Sequence, residues 1–101
     1  MRDTDLYAGL IRLHVLYHAG KSPVFGVGIM EELHRHGYKL SPGTLYPMLH
    51  AMEKSGYLRA RARVVNGKTR RDYTITSKGS RALVEAKEKV KELFGELFEP
   101  D

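Results

Sequence analysis

The sequence predicts a mainly α-helical fold with a two-stranded β-wing: a winged helix-turn-helix followed by a long C-terminal dimerisation helix. Three observations support this prediction. Three successive segments show the 3.6-residue apolar spacing that is typical of amphipathic helices. After Gly56 the spacing changes to strict alternation around an Asn66-Gly67 turn. From Thr76 a helical pattern returns and continues nearly to the C-terminus, and this order of elements is typical of a winged helix.

The length and composition favour one compact domain. The chain has 101 residues, 42% of them hydrophobic, and a core of this size often gains stability from oligomerisation. We expect residues 1–76 to form the winged helix-turn-helix and residues 77–101 the dimerisation helix. The chain has no cysteine, which excludes disulfides and thiolate metal sites. Without a membrane-length apolar run or a basic signal peptide, we expect a cytoplasmic protein that does not bind membranes.

The first two helices are predicted at residues 5–18 and 25–36. Thr4 or Asp3 caps the first helix, and Gly37 ends the second. The expected apolar stripe of the first helix consists of Leu6, Leu10, Leu13 and Tyr17, widened by Ile11 and Leu16. The second helix carries Val27, Ile29, Met30 and Leu33, and Gly26 and Gly28 in its first turns indicate close packing against another helix.

The third helix has well-marked ends and a polar front. Ser41 is a good N-cap, Pro42 suits the first helical position, and Gly56 suits a left-handed C-terminal residue. Pro47 removes one internal hydrogen bond, so we expect a loosened first turn. The predicted buried stripe is Leu45, Met48, Leu49 and Met52; the residues pointing away from it are Ser41, Gly43, Thr44, Tyr46, His50 and Lys54.

The predicted hairpin and last helix complete the chain. The first strand alternates apolar residues, Leu58, Ala60, Ala62 and Val64, with Arg59, Arg61 and Arg63. On the return strand, one face carries Arg71, Tyr73 and Ile75, and the other carries Arg70, Asp72 and Thr74. The last helix is predicted at residues 76–98, with Pro100 stopping it. Its apolar residues follow a heptad seam, flanked by Phe94 and Phe98: Leu83, Ala86, Val90, Leu93 and Leu97.

The distribution of charge points to a polyanionic partner. The formal net charge is +5. Residues 39–81 contain ten basic and two acidic residues, a net +8, whereas the rest of the chain contains seven basic and ten acidic residues, a net −3. A basic central region next to a predicted helix-turn-helix favours double-stranded DNA as the partner.

Four segments together resemble the PadR family of bacterial transcriptional regulators, over essentially the whole chain. They are LYAGLIRLHVLYH, FGVGIMEELHRHGY, LSPGTLYPMLHAMEKSGYL and the wing ending RRDYTITSKG. The resemblance implies a homodimeric winged-helix repressor that binds operator DNA. It also implies the small branch of the family, which has a single C-terminal helix for dimerisation.

We predict a DNA-binding surface formed by the third helix and the wing. Thr44, Tyr46 and His50 are the candidates for lining the major groove. Ser41 and Gly43 lie at the helix N-terminus, which suits phosphate. Lys68, Arg70 and Arg71 are expected to contact the DNA backbone at the wing tip. The alternative for the wing tip is an ordinary solvated hairpin end. Phosphate contact and an exposed, charged strand face explain Arg59, Arg61 and Arg63 equally well.

The last helix is predicted to dimerise through Leu83, Ala86, Val90, Leu93, Phe94 and Leu97. Packing of this seam entirely on its own domain is the alternative. A small-molecule inducer, of unknown identity, would bind between the first helix and the dimerisation helices. The residues expected to line that space are Leu10, Leu13, Tyr17, Val90 and Phe94.

The sequence favours neither catalysis nor a metal or cofactor site. It has no Gly-rich phosphate loop and no nucleophile motif. His14 and His18 have the i, i+4 spacing of a chelating pair, but spacing alone supplies no third ligand. The alternative to a DNA-binding regulator is a winged-helix protein-interaction module, whose basic face binds an acidic protein and which recognises no specific operator.

Overall fold

The computed structural model describes residues 1–99 and has the predicted order of helices and hairpin. Its helices are α1 (Asp3–Leu6), α2 (Ala8–Lys21), α3 (Gly26–Arg35), α4 (Pro42–Lys54) and α5 (Ser77–Leu97). Its strands are β1 (Val24–Phe25), β2 (Leu58–Val65) and β3 (Lys68–Ile75). The predicted stop at Pro100 lies outside the described residues. None of the helices in the described part is long and apolar enough to cross a membrane.

The sheet has one strand more than the predicted two-stranded wing. β1 pairs antiparallel with β3, and the strand order is β1-β3-β2. β1 contains only two residues, which is too short for an alternating pattern to show in the sequence. Its pairing places Val24 beside Tyr73 and Phe25 beside Asp72, so the wing is anchored to the segment that leads into α3.

The core is formed by one face of α2, α3 and α4 together with the base of the hairpin. Its fully buried side chains are Ile11, Val15, Ile29, Leu33, Leu45, Leu49 and Leu58. The predicted stripe of α4 is confirmed, since Leu45, Met48, Leu49 and Met52 are all buried. On the hairpin, only the base is packed: Leu58 is buried, whereas Ala62 and Val64 are exposed.

The predicted stripe of the first helix is confirmed at Ile11 and Leu16 but wrong at Leu6, Leu10 and Tyr17. Ile11, Val15, Leu16 and Ala19 are the buried residues of α2, whereas Leu6, Leu10 and Tyr17 are exposed. The helix is apolar around most of its circumference, so spacing alone did not identify the core-facing side. The helix is also interrupted at Tyr7, and the N-cap of α1 is Arg2 rather than Thr4 or Asp3.

Three local features of the helix-turn-helix differ from expectation. Ser41 occupies the N-cap of α4 but makes no side-chain capping bond; its hydroxyl instead donates to Oγ1 of Thr44 at 3.3 Å. The helix continues unbroken through Pro47, because only one internal hydrogen bond is lost there. Val27 is exposed, which leaves Ile29 and Leu33 to anchor α3.

Gly79 fixes the start of α5 against the hairpin. It is buried, and its N–H donates to Oγ1 of the N-cap residue Thr76 at 3.0 Å. A Cβ at this position would overlap the carbonyl oxygen of Tyr57 and lie 2.8 Å from Cγ1 of Ile75. Glycine is therefore required here by the close approach of two backbone segments.

Replacing Gly79 with alanine is expected to destabilise the protein by about 1–3 kcal/mol, because the Tyr57 backbone has to move. The control is Gly9→Ala on α2, where an added Cβ meets no atom of residues 1–99 within 4 Å. Thermal unfolding at one protein concentration measures both variants. A Gly79→Ala midpoint equal to that of the control would show that the hairpin yields without cost.

Candidate nucleic-acid interface

The helix-turn-helix presents the polar face of α4 to solvent. Gly43, Tyr46 and His50 are exposed on this face, and Thr44 is half-buried. The ring of Tyr46 packs against Gly26 at the start of α3, where any Cβ would overlap it. The close helix packing predicted for Gly26 is thus present, and it orients Tyr46 at the front of α4. Gly28 instead lies against the ring of Phe25.

The hairpin turn has the geometry that its sequence predicts. Asn66 and Gly67 have φ angles of 52° and 77°, and they connect β2 to β3 as a two-residue turn. Positive φ at both positions is the type I′ requirement, which Asn-Gly satisfies. Lys68 directly follows this turn and is exposed, so a cationic side chain stands at the tip of the wing.

Helix α4 and the wing border one groove, with a volume of about 540 Å³. Tyr46 contributes from α4, and Lys68, Arg70 and Arg71 contribute from β3. Phe25, Gly26 and Val27 close the third side. The predicted helix and wing candidates therefore share one surface, with cationic groups on the wing side.

Arg70 is held within the protein rather than extended from the wing tip. Its Nε donates to Oδ1 of Asp72 at 2.9 Å, and its guanidinium lies 4.1 Å from the centre of the Phe25 ring. Arg63 on β2 donates to the other carboxylate oxygen of Asp72 at 3.3 Å. Asp72 is only 6% exposed. A buried carboxylate paired on both oxygens fixes the relative positions of all three strands.

The role of Asp72 was not identified from the sequence. In the alternating pattern it falls on the charged face of β3, which suggests solvent exposure. The neighbouring strand β1 covers it, since Phe25 is its register partner. The sequence signal for its role was a single acidic residue among the basic residues of β3. The strand β1, which covers Asp72, was not predicted.

Arg71 connects the wing to α4. Its Nη2 donates to Oε1 of Glu53, near the end of α4, at 2.8 Å. A hydrogen bond with Tyr73 and the charge of Glu53 both raise the pKa of Arg71. The side chain remains about half exposed, so its guanidinium keeps donors directed to solvent. His50 also approaches this carboxylate, with Nδ1 3.9 Å from Oε1 of Glu53.

Three cations of the hairpin have no carboxylate partner among residues 1–99. They are Arg59 and Arg61 on β2 and Lys68 at the tip, and all three are exposed. Arg63, Arg70 and Arg71 by contrast are paired with Asp72 or Glu53. Unpaired cations can bind phosphate without first breaking an internal ion pair. Arg59, Arg61 and Lys68 are therefore more readily available to phosphate than the paired cations.

The predicted dimerisation seam divides into two parts. Leu83 and Ala86 are half-buried against the same domain, and Leu83 packs on the core. Further along α5 the apolar residues are exposed, with Leu93 at 50% and Phe94 at 61%. Val90 and Leu97 are exposed as well. Packing on its own domain therefore accounts only for the first turns of the seam.

The residues predicted to line a ligand space border one groove between α2 and α5. Leu10, Leu13 and Tyr17 contribute from α2, and Val90 and Phe94 contribute from α5. The groove has a volume of about 690 Å³ and is open to solvent. The exposed side of α2, which was predicted to face the core, forms one wall of this groove.

Comparison with known proteins assigns the chain to a family. The sequence model of the Transcriptional regulator PadR-like family matches residues 15–85, which include α3, α4 and the whole hairpin. The chain belongs to this PadR-like family. The predicted resemblance is thereby confirmed, as is the expectation of a transcriptional regulator rather than an enzyme.

Relatives of this PadR-like protein match along nearly its full length. Transcriptional regulator Rv3488 of Mycobacterium tuberculosis is 47% identical over 88 residues, which cover 87% of this chain and 82% of the relative. The crystal structure of a PadR-like regulator from Bacillus cereus has a TM-score of 0.80 at 26% identity and covers 96% of this chain and 99% of its own. A PadR family regulator from Eggerthella lenta has a TM-score of 0.77 at 29% identity, with coverages of 96% and 85%.

Proposed function

We propose that this PadR-family regulator binds double-stranded DNA as a homodimer at a pseudo-palindromic operator and represses transcription there. The observation that carries the proposal is the shared groove between the exposed face of α4 and the basic wing. A helix of this kind fits the major groove, while a flanking hairpin reaches the adjacent backbone. The net +8 of residues 39–81 provides the electrostatic attraction.

The front of α4 is proposed to read the operator. Thr44, Tyr46 and His50 offer hydroxyl and imidazole groups, which donate and accept hydrogen bonds at base edges. Ser41 and Gly43 stand at the helix N-terminus, where free backbone N–H groups and the positive end of the helix dipole favour phosphate. No acidic residue lies between Lys39 and Met52, so this segment carries no negative charge that would repel the DNA.

The wing is proposed to bind the DNA backbone, and its cations are proposed to have different roles. Lys68 contacts phosphate directly, because it is exposed at the tip. Arg71 adds a second contact while it stays paired with Glu53. Arg70 acts mainly by positioning the wing through Asp72, since its guanidinium is already bonded and lies over Phe25. Phosphate contacts of this kind set affinity and register rather than sequence preference.

The exposed part of α5 is proposed to form the dimer. Val90, Leu93, Phe94 and Leu97 present an apolar surface on a helix whose heptad spacing suits a second copy of the same helix. A two-fold axis through this contact directs both α4 helices to one side of the DNA. Half-sites about one helical turn apart, roughly 34–36 Å, are then expected.

Repression follows if the operator overlaps a promoter. A small-molecule inducer would act from the groove bordered by Leu10, Leu13, Tyr17, Val90 and Phe94. This groove lies between the DNA-reading domain and the dimerisation helix, so a ligand there changes the angle between the two α4 helices. The apolar lining suits an uncharged organic ligand.

Selection of bound duplexes from a random DNA library tests the proposal. The selection is performed at two salt concentrations, and light scattering gives the mass of the free protein, which is twice 11.5 kDa for a dimer. We expect a palindromic motif, enriched at both salt concentrations. Binding without a motif, lost at moderate salt, would contradict an operator and favour the protein-interaction module.

A further inference from the structure

Three histidines from two helices converge at one end of the groove between α2 and α5. His14 and His18 are one turn apart on α2, and His36 is the C-cap residue of α3. One ring nitrogen of each lies within 4.8 Å of a ring nitrogen of both others. The three rings also stack face to face or at a tilt, with the closest centroids, those of His14 and His36, 4.7 Å apart.

A carboxylate lies beside this cluster. Oε1 of Glu32 is 3.3 Å from Nε2 of His36, to which it is hydrogen-bonded, and 3.4 Å from Nε2 of His18. Arg35 also donates a hydrogen bond to the Glu32 carboxylate, through its other oxygen Oε2. Three imidazoles therefore converge on one another, and a carboxylate lies beside two of them.

The nitrogen of His18 that faces the cluster lacks a hydrogen bond. Nε2 is buried, and despite its closeness to Glu32 it has no partner with hydrogen-bond geometry among residues 1–99. A buried polar atom without a partner is destabilising and requires an explanation.

We propose that His14, His18, His36 and Glu32 form a binding site for a divalent transition-metal ion of the zinc class. Three imidazole nitrogens and one carboxylate oxygen are a complete tetrahedral ligand set for Zn²⁺. With metal–nitrogen distances of about 2.0–2.1 Å, small side-chain rotations that bring the nitrogens closer together complete the coordination. The absence of thiolates disfavours Cu⁺, and the nitrogen-rich set disfavours Mg²⁺ and Ca²⁺.

The site connects two helices of the winged helix-turn-helix, α2 and α3. His14 and His18 belong to α2, Glu32 belongs to α3 and His36 caps the end of α3, so a bound ion would cross-link these helices at one end. The inference concerns metal binding itself and goes beyond the proposed function. It holds or fails whether or not the protein recognises an operator.

Titration of untagged, chelator-treated protein with ZnCl₂ tests the site, because a polyhistidine tag would bind the same metal. We expect one Zn²⁺ per chain by calorimetry, a raised thermal unfolding midpoint, and no response to MgCl₂ at equal concentration. Substitution with Co²⁺ should give the intense visible absorption of a tetrahedral complex. Absence of Zn²⁺ binding, or equal responses to Mg²⁺, would overturn the proposal.

Matched variants assign the ligands. His36→Gln removes an exposed ligand at a helix end and is expected to weaken Zn²⁺ binding by about 10- to 100-fold or more. His34→Gln is the control, since His34 is an exposed histidine on the same helix outside the cluster. His18→Gln should also lose binding, and circular dichroism checks that both cluster variants remain folded. Unchanged affinity of folded His36→Gln, or an equal loss in His34→Gln, would refute the assignment.

Discussion

Replacing Leu93 with aspartate is expected to convert the proposed dimer to monomers and to weaken operator binding by about 10²- to 10⁴-fold. Leu93 lies on the heptad seam and is half exposed in the single chain, so a charge there does not disturb the domain core. In the dimer the same charge would be buried against apolar side chains, which is strongly unfavourable. Operator affinity falls because a monomer loses the effective concentration with which its partner binds the second half-site.

Val84→Asp provides the matched control for Leu93→Asp. Val84 is on the same helix and is 64% exposed, but it lies beside the seam rather than on it. Light scattering gives the mass of each variant, and circular dichroism gives its helicity. A Leu93→Asp protein that keeps the dimeric mass would refute the seam, and dissociation of both variants would show only that α5 tolerates no added acid.

The elements of the fold were largely predictable because their sequence signals are local. The Ser41-Pro42 start and the Gly56 end bracket α4 in the sequence, and Asn66-Gly67 determines the hairpin turn. These signals act through backbone conformation within a few residues, so they survive folding unchanged. The two residues of β1 carry no such signal, since their strand conformation depends on pairing with β3, nearly fifty positions later.

The side of α2 that enters the core was not predictable from spacing. Both Leu10 and Ile11 belong to plausible apolar stripes, and only the positions of α3 and α4 decide between them. The exposed stripe is retained at the groove beside α5, where the proposed ligand and dimer contacts lie. A helix that is apolar on two sides thus indicates two separate contacts, one with the core and one beyond it.

The candidate site was predictable by residue type but not by pairing. The sequence places Lys68, Arg70 and Arg71 together, yet contacts between elements determine that Asp72 also binds Arg63 and that Glu53 binds Arg71. The same limit applies to the histidines. Spacing relates His14 to His18, whereas His36 joins them only because the C-terminal end of α3 packs beside α2.

We expect this pairing pattern to distinguish cations that contact DNA from cations that support the wing. Replacing Lys68 with glutamate is expected to weaken binding to operator and random duplexes alike, by about 10- to 100-fold at moderate salt. The reason is the loss of one phosphate contact and the repulsion introduced in its place. The slope of log affinity against log salt concentration should become shallower by about one, as measured by fluorescence anisotropy over a salt series.

Lys89→Glu makes the same change in net charge away from the wing. Lys89 is exposed on α5 and borders neither the wing groove nor the groove beside α2. If Lys68 contacts phosphate, the control retains nearly the wild-type salt slope, because distant exposed charges are screened over about 8–10 Å at moderate ionic strength. Equal loss in both variants would mean that DNA responds to the overall charge of the protein, and the wing would then have no specific contact with the backbone.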